Sequence, residues 1–351
     1  MSAAALHTRI CDMFGVRYPI VQTGMGWVSD ARLTAATANA GGLGILASAT
    51  LSYDELARAI ADVHARTEAP FGVNLRADAP DAARRADLLI KERVRVASFA
   101  LAPKPELIDK LKSAGLVVVP SVGARRHAEK VAGWGADAVV VQGGEGGGHT
   151  GPVPTSLLLP QVADAVDIPV IAAGGYRDGR GLVAALAYGA AGIAMGTRFL
   201  LTTDSPIAEA VKRRYLAATV TDTVVTEALD GVPQRVLRTP FVDAIARPAL
   251  PGRRLVRALG NARAFRKLSG RSWLSLLREG RAMRGHGLRY DQVLLAANTP
   301  MLIRAAMVEG RPDAGVMASG QVAGLIDDLP SCAELIERIM AEAEAVLERL
   351  A

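Results

Sequence analysis

The sequence predicts an α/β chain: a closed (β/α)8 TIM barrel followed by a smaller, arginine-rich helical lid. Three observations predict it. Over the first 200 residues, eight short apolar runs alternate with amphipathic stretches of helical length. The runs are mostly continuous in apolar residues, the pattern of parallel strands buried on both faces. The seventh and eighth runs end in small-residue loops, where such a barrel places a phosphate.

Taken in order, strands are expected over Pro19–Thr23, Leu43–Ala47, Phe71–Leu75 and Val94–Phe99, then Leu116–Ser121, Ala138–Gln142, Val170–Ala173 and Gly192–Met195. Each is a short run rich in Val, Ile, Leu or Ala. Helical periodicity fills the gaps over Ala31–Ala40, Tyr53–Arg66, Ala82–Lys91, Pro105–Ala114, Ala124–Gly133, Thr155–Val166 and Gly179–Tyr188. After Ala218 the alternation stops. Residues 220–290 hold Pro233, Pro240, Pro248 and Pro251 and no discernible strand, which reads as a cap over one barrel end. Helical periodicity resumes at Gln292 and again over Cys332–Leu350, with a polar turn, Ala318-Ser319-Gly320-Gln321, between them. The expected division is therefore a barrel over 1–219, a basic lid over 220–300 and a segment over 301–351 that returns to the barrel.

Composition narrows the function. With 351 residues, half of them hydrophobic, a large core is within reach. Cys11 and Cys332 lie far apart without metal-ligand spacing, so neither a disulfide framework nor a metal site is expected. No apolar run has the length of a signal or a membrane span, so a cytoplasmic protein is expected. The net charge of +6 is uneven: twelve basic residues fall between Arg247 and Arg289, against one acid, Glu279. Such a stretch favours a polyanionic partner: nucleic acid, a membrane surface or a phosphorylated small molecule. Phe265, Trp273 and Tyr290 are sparse for base stacking, which disfavours nucleic acid. Neither nucleic acid nor membrane is the expected partner, and self-association is left open.

The chemistry concentrates in Asp137–Gly151, DAVVVQGGEGGGHTG. A buried-strand pattern runs into a glycine loop whose backbone can lie close against a flat ligand. The loop ends on His149, an acid or base near neutral pH. Glu145, within the loop, either orients its backbone, stabilises a charged His149 or faces solvent. The seventh strand ends in Gly174-Gly175 and the eighth in Gly196-Thr197, whose amides and hydroxyl suit a phosphate. The first ends in Gly24-Met25-Gly26, where glycines admit a ring and the thioether packs on it. Asn74, at the end of the third, offers a donor and an acceptor to a ring edge, or caps a turn.

These residues resemble a known family. QTGMG, GVN, GGEGGGHTG, AAGG, MGTRF and ASGQ occur in the order found in the nitronate monooxygenase family, over nearly the whole chain. The resemblance implies FMN, with its phosphate at Gly174, Gly175, Gly196 and Thr197. Ring contacts are implied from Gly24, Met25, Gly26, Asn74, Gly147 and Gln321, and His149 falls on the catalytic histidine. Within the family, VQTGMGWVS, FGVNLRAD, VQGGEGGGHTGP, AANTPML and ASGQVAGLIDDLPSC resemble the CoA-thioester oxidoreductases of bacterial steroid C/D-ring breakdown. That likeness implies a dehydrogenase of a hydroxy-methyl-oxo-indane carboxyl-CoA, with His149 as base. Arginines such as Arg253, Arg254 and Arg257 would hold the CoA phosphates through bidentate hydrogen bonds. Two other flavin reactions compete: oxidation of a small nitronate, which needs no basic lid, and reduction of an enoyl thioester by NAD(P)H.

Overall fold

The computed structural model describes residues 6–246 and 301–351. The arginine-rich stretch from Arg247 to Arg289, with Arg253, Arg254 and Arg257, lies outside the described residues.

Eight parallel strands close into a barrel. They are β1 (Ile20–Gln22), β2 (Leu43–Ala47), β3 (Gly72–Leu75), β4 (Val96–Phe99), β5 (Val117–Val122), β6 (Val139–Gln142), β8 (Val170–Ala173) and β9 (Gly192–Met195). Closure comes from β9 against β1, in the register Ile20↔Ile193 to Gln22↔Met195. The helices around them are α2 (Ala31–Asn39), α3 (Tyr53–Arg66), α4 (Ala82–Lys91), α5 (Pro105–Ser113), α6 (Arg125–Gly133), α7 (Thr155–Ala163) and α8 (Gly179–Ala187), preceded by α1 (Arg9–Phe14). The predicted barrel is thus the observed one, with strand ends displaced by at most two residues. Helix α7 stops at Ala163, short of the predicted Val166. Val166 still packs on the core from the following turn, which is why the apolar period continued past the helix.

Both strand faces are buried, as the largely apolar runs required. One set of side chains, among them Val21, Ile45, Val119, Val140 and Ile171, clusters with Ile10 and Phe14 of α1. The alternate set, such as Val73, Leu75, Ala97 and Val118, packs with helix residues Leu56, Ile60, Leu89 and Ile108. Helix α3 begins in a capping box: Ser52 accepts from the Glu55 amide while Glu55 reaches back to the Ser52 amide.

Past the barrel the chain runs through α9 (Thr197–Leu200), α10 (Glu209–Leu216) and α11 (Pro240–Ala246), and residues 301–307 are again helical. The expectation of no strand in 220–290 is corrected here. β10 (Thr223–Thr226) and β11 (Gln234–Leu237) form an antiparallel pair, and β11 also pairs with β7 (Gly148–His149) from the glycine loop. Each of these strands has four residues or fewer and mixes polar with apolar side chains, so neither a run nor a clean alternation marked it. A small core of Leu229, Val236, Val242, Leu302 and Val316 underlies this sheet. The last helix, α12 (Cys332–Leu350), starts in a second capping box at Ser331 and Glu334. It buries Leu335, Ile336, Ile339 and Met340, and its Glu342 accepts from the Gly179 amide at the start of α8 at 2.9 Å. Among the described residues no helix is long and apolar enough to cross a membrane.

Candidate functional site

The C-terminal end of β6 delivers the glycine loop to the barrel mouth, where such barrels carry their chemistry. Gln142, the last residue of β6, turns its amide along the loop and donates to the His149 carbonyl at 2.7 Å. The loop folds back on itself as the Gly146 amide donates to Gly143 O. Of the three roles open to Glu145, the structure selects orientation of the loop. Its carboxylate accepts from the Thr155 amide at 2.9 Å and the Thr155 hydroxyl at 2.7 Å, tying the loop to the start of α7. On the other side, the Arg235 guanidinium donates twice to Gly144 O, at 3.0 and 2.9 Å. The loop is clamped from both flanks.

His149 emerges from this clamp on β7, its backbone paired with Gln234 of β11. Its side chain is 60% exposed, open to a ligand at the mouth. Nε2 lies 2.8 Å from Asp230 Oδ2. Asp230 in turn accepts from Gln234 Nε2 at 2.6 Å and, on Oδ1, from the Val232 amide at 3.1 Å. Burial opposes ionisation of Asp230, but the hydrogen bonds from His149 and Gln234 outweigh it and hold the carboxyl below its usual range. Sequence reasoning missed Asp230: it is 81 residues from His149, in a segment with no visible strand. The sequence places Gln142 at the end of the sixth strand but assigns it no role.

The other expected site residues come from five strand ends and the C-terminal turn. After β8, Gly174 and Gly175 have φ of 98° and 85°, a left-handed pair that side-chain-bearing residues adopt only with strain. After β9, the Thr197 hydroxyl accepts from the Gly320 amide at 3.0 Å. Among the described residues, the amides of Gly175, Gly196 and Thr197 donate to no protein acceptor. The Gln321 amide donates to Glu145 O at 3.0 Å, so the C-terminal turn is stitched to both the glycine loop and the β9 end. Gly147 lies directly against Ser319 and Gly320, Gly24 against the Asn74 side chain, and Gly196 against the Met25 thioether. Asn74 Nδ2 donates to Ser98 Oγ at 3.2 Å, so it bridges neighbouring strands at the mouth. Beside Gly26, Trp27 adopts a left-handed φ of 65°, a strained conformation for a bulky residue, with the Arg304 guanidinium 5.3 Å from its ring.

The chain matches the nitronate monooxygenase family over residues 7–89 and 81–342. It belongs to the nitronate monooxygenase family. Two relatives match nearly end to end. One from Mycobacterium tuberculosis is 62% identical over 342 residues, 96% of each chain. One from Rhodococcus jostii is 60% identical over 341 residues, 97% of this chain and 96% of the relative. Both are described as (3aS,4S,5R,7aS)-5-hydroxy-7a-methyl-1-oxo-octahydro-1H-indene-4-carboxyl-CoA dehydrogenase. Among solved structures, FabK from Thermotoga maritima superposes with a TM-score of 0.82 at 35% identity, covering 98% of both chains. Family and relatives alike make this nitronate monooxygenase family member an oxidoreductase.

Both cysteines are buried. Cys332, at the start of α12, is buried beside Thr37, and burial pushes its thiol up to about 12, far from thiolate reactivity.

Proposed function

We propose that this protein is an FMN-dependent dehydrogenase that introduces a double bond into an alicyclic acyl-CoA, a hydroxy-methyl-oxo-indane carboxyl-CoA of steroid-ring breakdown. The observation that carries the substrate class is the identity of 62% to a relative described as such a dehydrogenase, over 96% of both chains. The chemistry rests on His149, an exposed imidazole presented at a barrel mouth by a clamped glycine loop.

The mouth fits a flavin mononucleotide. Gly175, Gly196 and Thr197 offer amide donors that no acceptor among the described residues takes, a setting suited to a phosphate. We assign the phosphate to Gly174, Gly175, Gly196 and Thr197, and the ring to Gly24, Met25, Gly26, Asn74, Gly147 and Gln321. When bound, the flavin supplies a two-electron acceptor for hydride from the β carbon. The protein's own task is the proton. His149 removes hydrogen from the carbon alpha to the thioester carbonyl, a weak acid that needs a base held in place, and returns it to solvent through its exposed ring. Arg253, Arg254 and Arg257, with the rest of the basic stretch, supply positive charge for the CoA phosphates.

Oxidation of a small nitronate is the competing reaction, and the two separate in one set of anaerobic mixtures. A saturated alicyclic acyl-CoA should bleach the oxidised flavin band of the purified holoenzyme. No bleaching with the thioester, alongside prompt reduction by a simple nitronate, would return the protein to monooxygenase chemistry.

A further inference from the structure

Asp230 has no part in the proton transfer as drawn so far, yet it is held more firmly than a surface partner of an exposed histidine needs to be. Isolated exposed ion pairs contribute little. This carboxylate is only 18% exposed and receives three donors: His149 Nε2, Gln234 Nε2 and the Val232 amide. Gln234, itself buried, is also the residue whose backbone pairs with His149 on β11. Imidazole ring and carboxylate are therefore referenced to the same strand. Among the described residues, the neighbouring charges have other partners or act from further away. Glu145 is turned to Thr155, Arg235 to Gly144 O, and Arg76, beyond β3, acts on Asp230 from a distance.

An ionised carboxylate only accepts hydrogen bonds, so the hydrogen between the two groups belongs to Nε2. In neutral imidazole that leaves the lone pair on Nδ1. We propose that Asp230 is a positioning residue that fixes His149 as its Nε2–H tautomer and so makes Nδ1 the atom that accepts the substrate proton. The inference rests on the dehydrogenase reading only in naming a thioester as the proton's source. In the step, the α C–H bond breaks and an Nδ1–H bond forms. The carbon's electron pair enters the new double bond as hydride leaves the β carbon for the flavin. The resulting imidazolium keeps its Nε2–H on the Asp230 carboxylate, which opposes its positive charge and holds the ring in plane.

Asp230→Asn tests this in the holoenzyme. A carboxylate accepts on both oxygens, whereas an amide accepts on one, so the three donors cannot all be met. The flavin-reduction rate at saturating acyl-CoA should fall by about 10- to 1000-fold. Flavin and thioester dissociation constants should stay unchanged. In parallel, 15N NMR of wild-type imidazoles, with His149 assigned from its loss in His149→Gln, should show Nε2 protonated and Nδ1 bare in the neutral ring. An Nδ1–H tautomer in the wild type, or a D230N enzyme that reduces its flavin at the wild-type rate, overturns the proposal. The NMR needs no substrate. A wild-type enzyme that takes no electrons from an acyl-CoA would count against the dehydrogenase reading, while the tautomer would still decide the role of Asp230.

Discussion

A single methyl group at Gly147 should uncouple the histidine from its task. A Cβ built there would lie 2.6 Å from both Gly320 N and Ser319 C, and 3.1 Å from Ser319 Cα. All three are backbone atoms of a turn already fastened to Thr197 and to Glu145 O, so no flexible side chain gives way. Ordinary contact begins near 3.4 Å, so about 0.8 Å must be absorbed, chiefly by the loop that carries His149 two residues on. Overpacking of this kind costs about 1–3 kcal/mol. A reacting group displaced by about 1 Å loses on the order of 10²-fold in rate. Gly147→Ala should therefore lower Tm by a few degrees and slow flavin reduction by acyl-CoA roughly a hundredfold, read by thermal melting and anaerobic stopped flow. Gly123→Ala, at the same barrel mouth but with its nearest neighbour 3.9 Å away, is the matched control and should be silent in both. A Gly147→Ala enzyme with wild-type reduction kinetics would refute the close docking of the glycine loop on the C-terminal turn.

Three further outcomes are expected. His149→Ala should retain FMN, seen in its absorbance spectrum, and lose about 10²- to 10⁴-fold in turnover. Thr197→Val removes the acceptor for the Gly320 amide and a hydroxyl at the phosphate loops, so flavin affinity measured by ultrafiltration should fall about tenfold, as for a lost hydrogen bond of roughly 1–1.5 kcal/mol. Asp178 caps α8 through the Gly181 amide; burial opposes its charge, but Arg180 and that amide prevail and depress its folded pKa. Asp178→Ala should then cost about 1 kcal/mol at neutral pH. A depressed carboxylate stabilises above its unfolded pKa of about 3.9, so the gap should close as pH falls through and below that value in urea titrations.

The barrel was legible because its signal is repeated and physical: strands buried on both faces leave unbroken apolar runs such as Val139–Val141, and each must be followed by an amphipathic helix. Element ends were less legible where apolar packing outlasts the helix, as at Val166. Glycines at strand ends stood out because close approach excludes side chains, and the structure sets Gly24 against Asn74, Gly196 against Met25 and Gly147 against Gly320. What stayed hidden depends on three-dimensional pairing without a periodic trace. β7 is two residues long, β11 includes Arg235 and Gln234, and Asp230 meets His149 only because those strands pair. Glu145, within the glycine loop, had three roles open to it from sequence, and only its contacts with Thr155 decide for the loop-orienting one.

The most direct test of the central claim is a single anaerobic turnover with an alicyclic acyl-CoA carrying deuterium at the carbon alpha to the thioester, in wild-type and His149→Ala holoenzyme. Wild-type flavin should be reduced, more slowly for the deuterated thioester than for the protiated one, with an unsaturated CoA ester as product, and the variant should stay oxidised on that time scale. Reduction of the variant at the wild-type rate, or a wild-type flavin left oxidised, would contradict it.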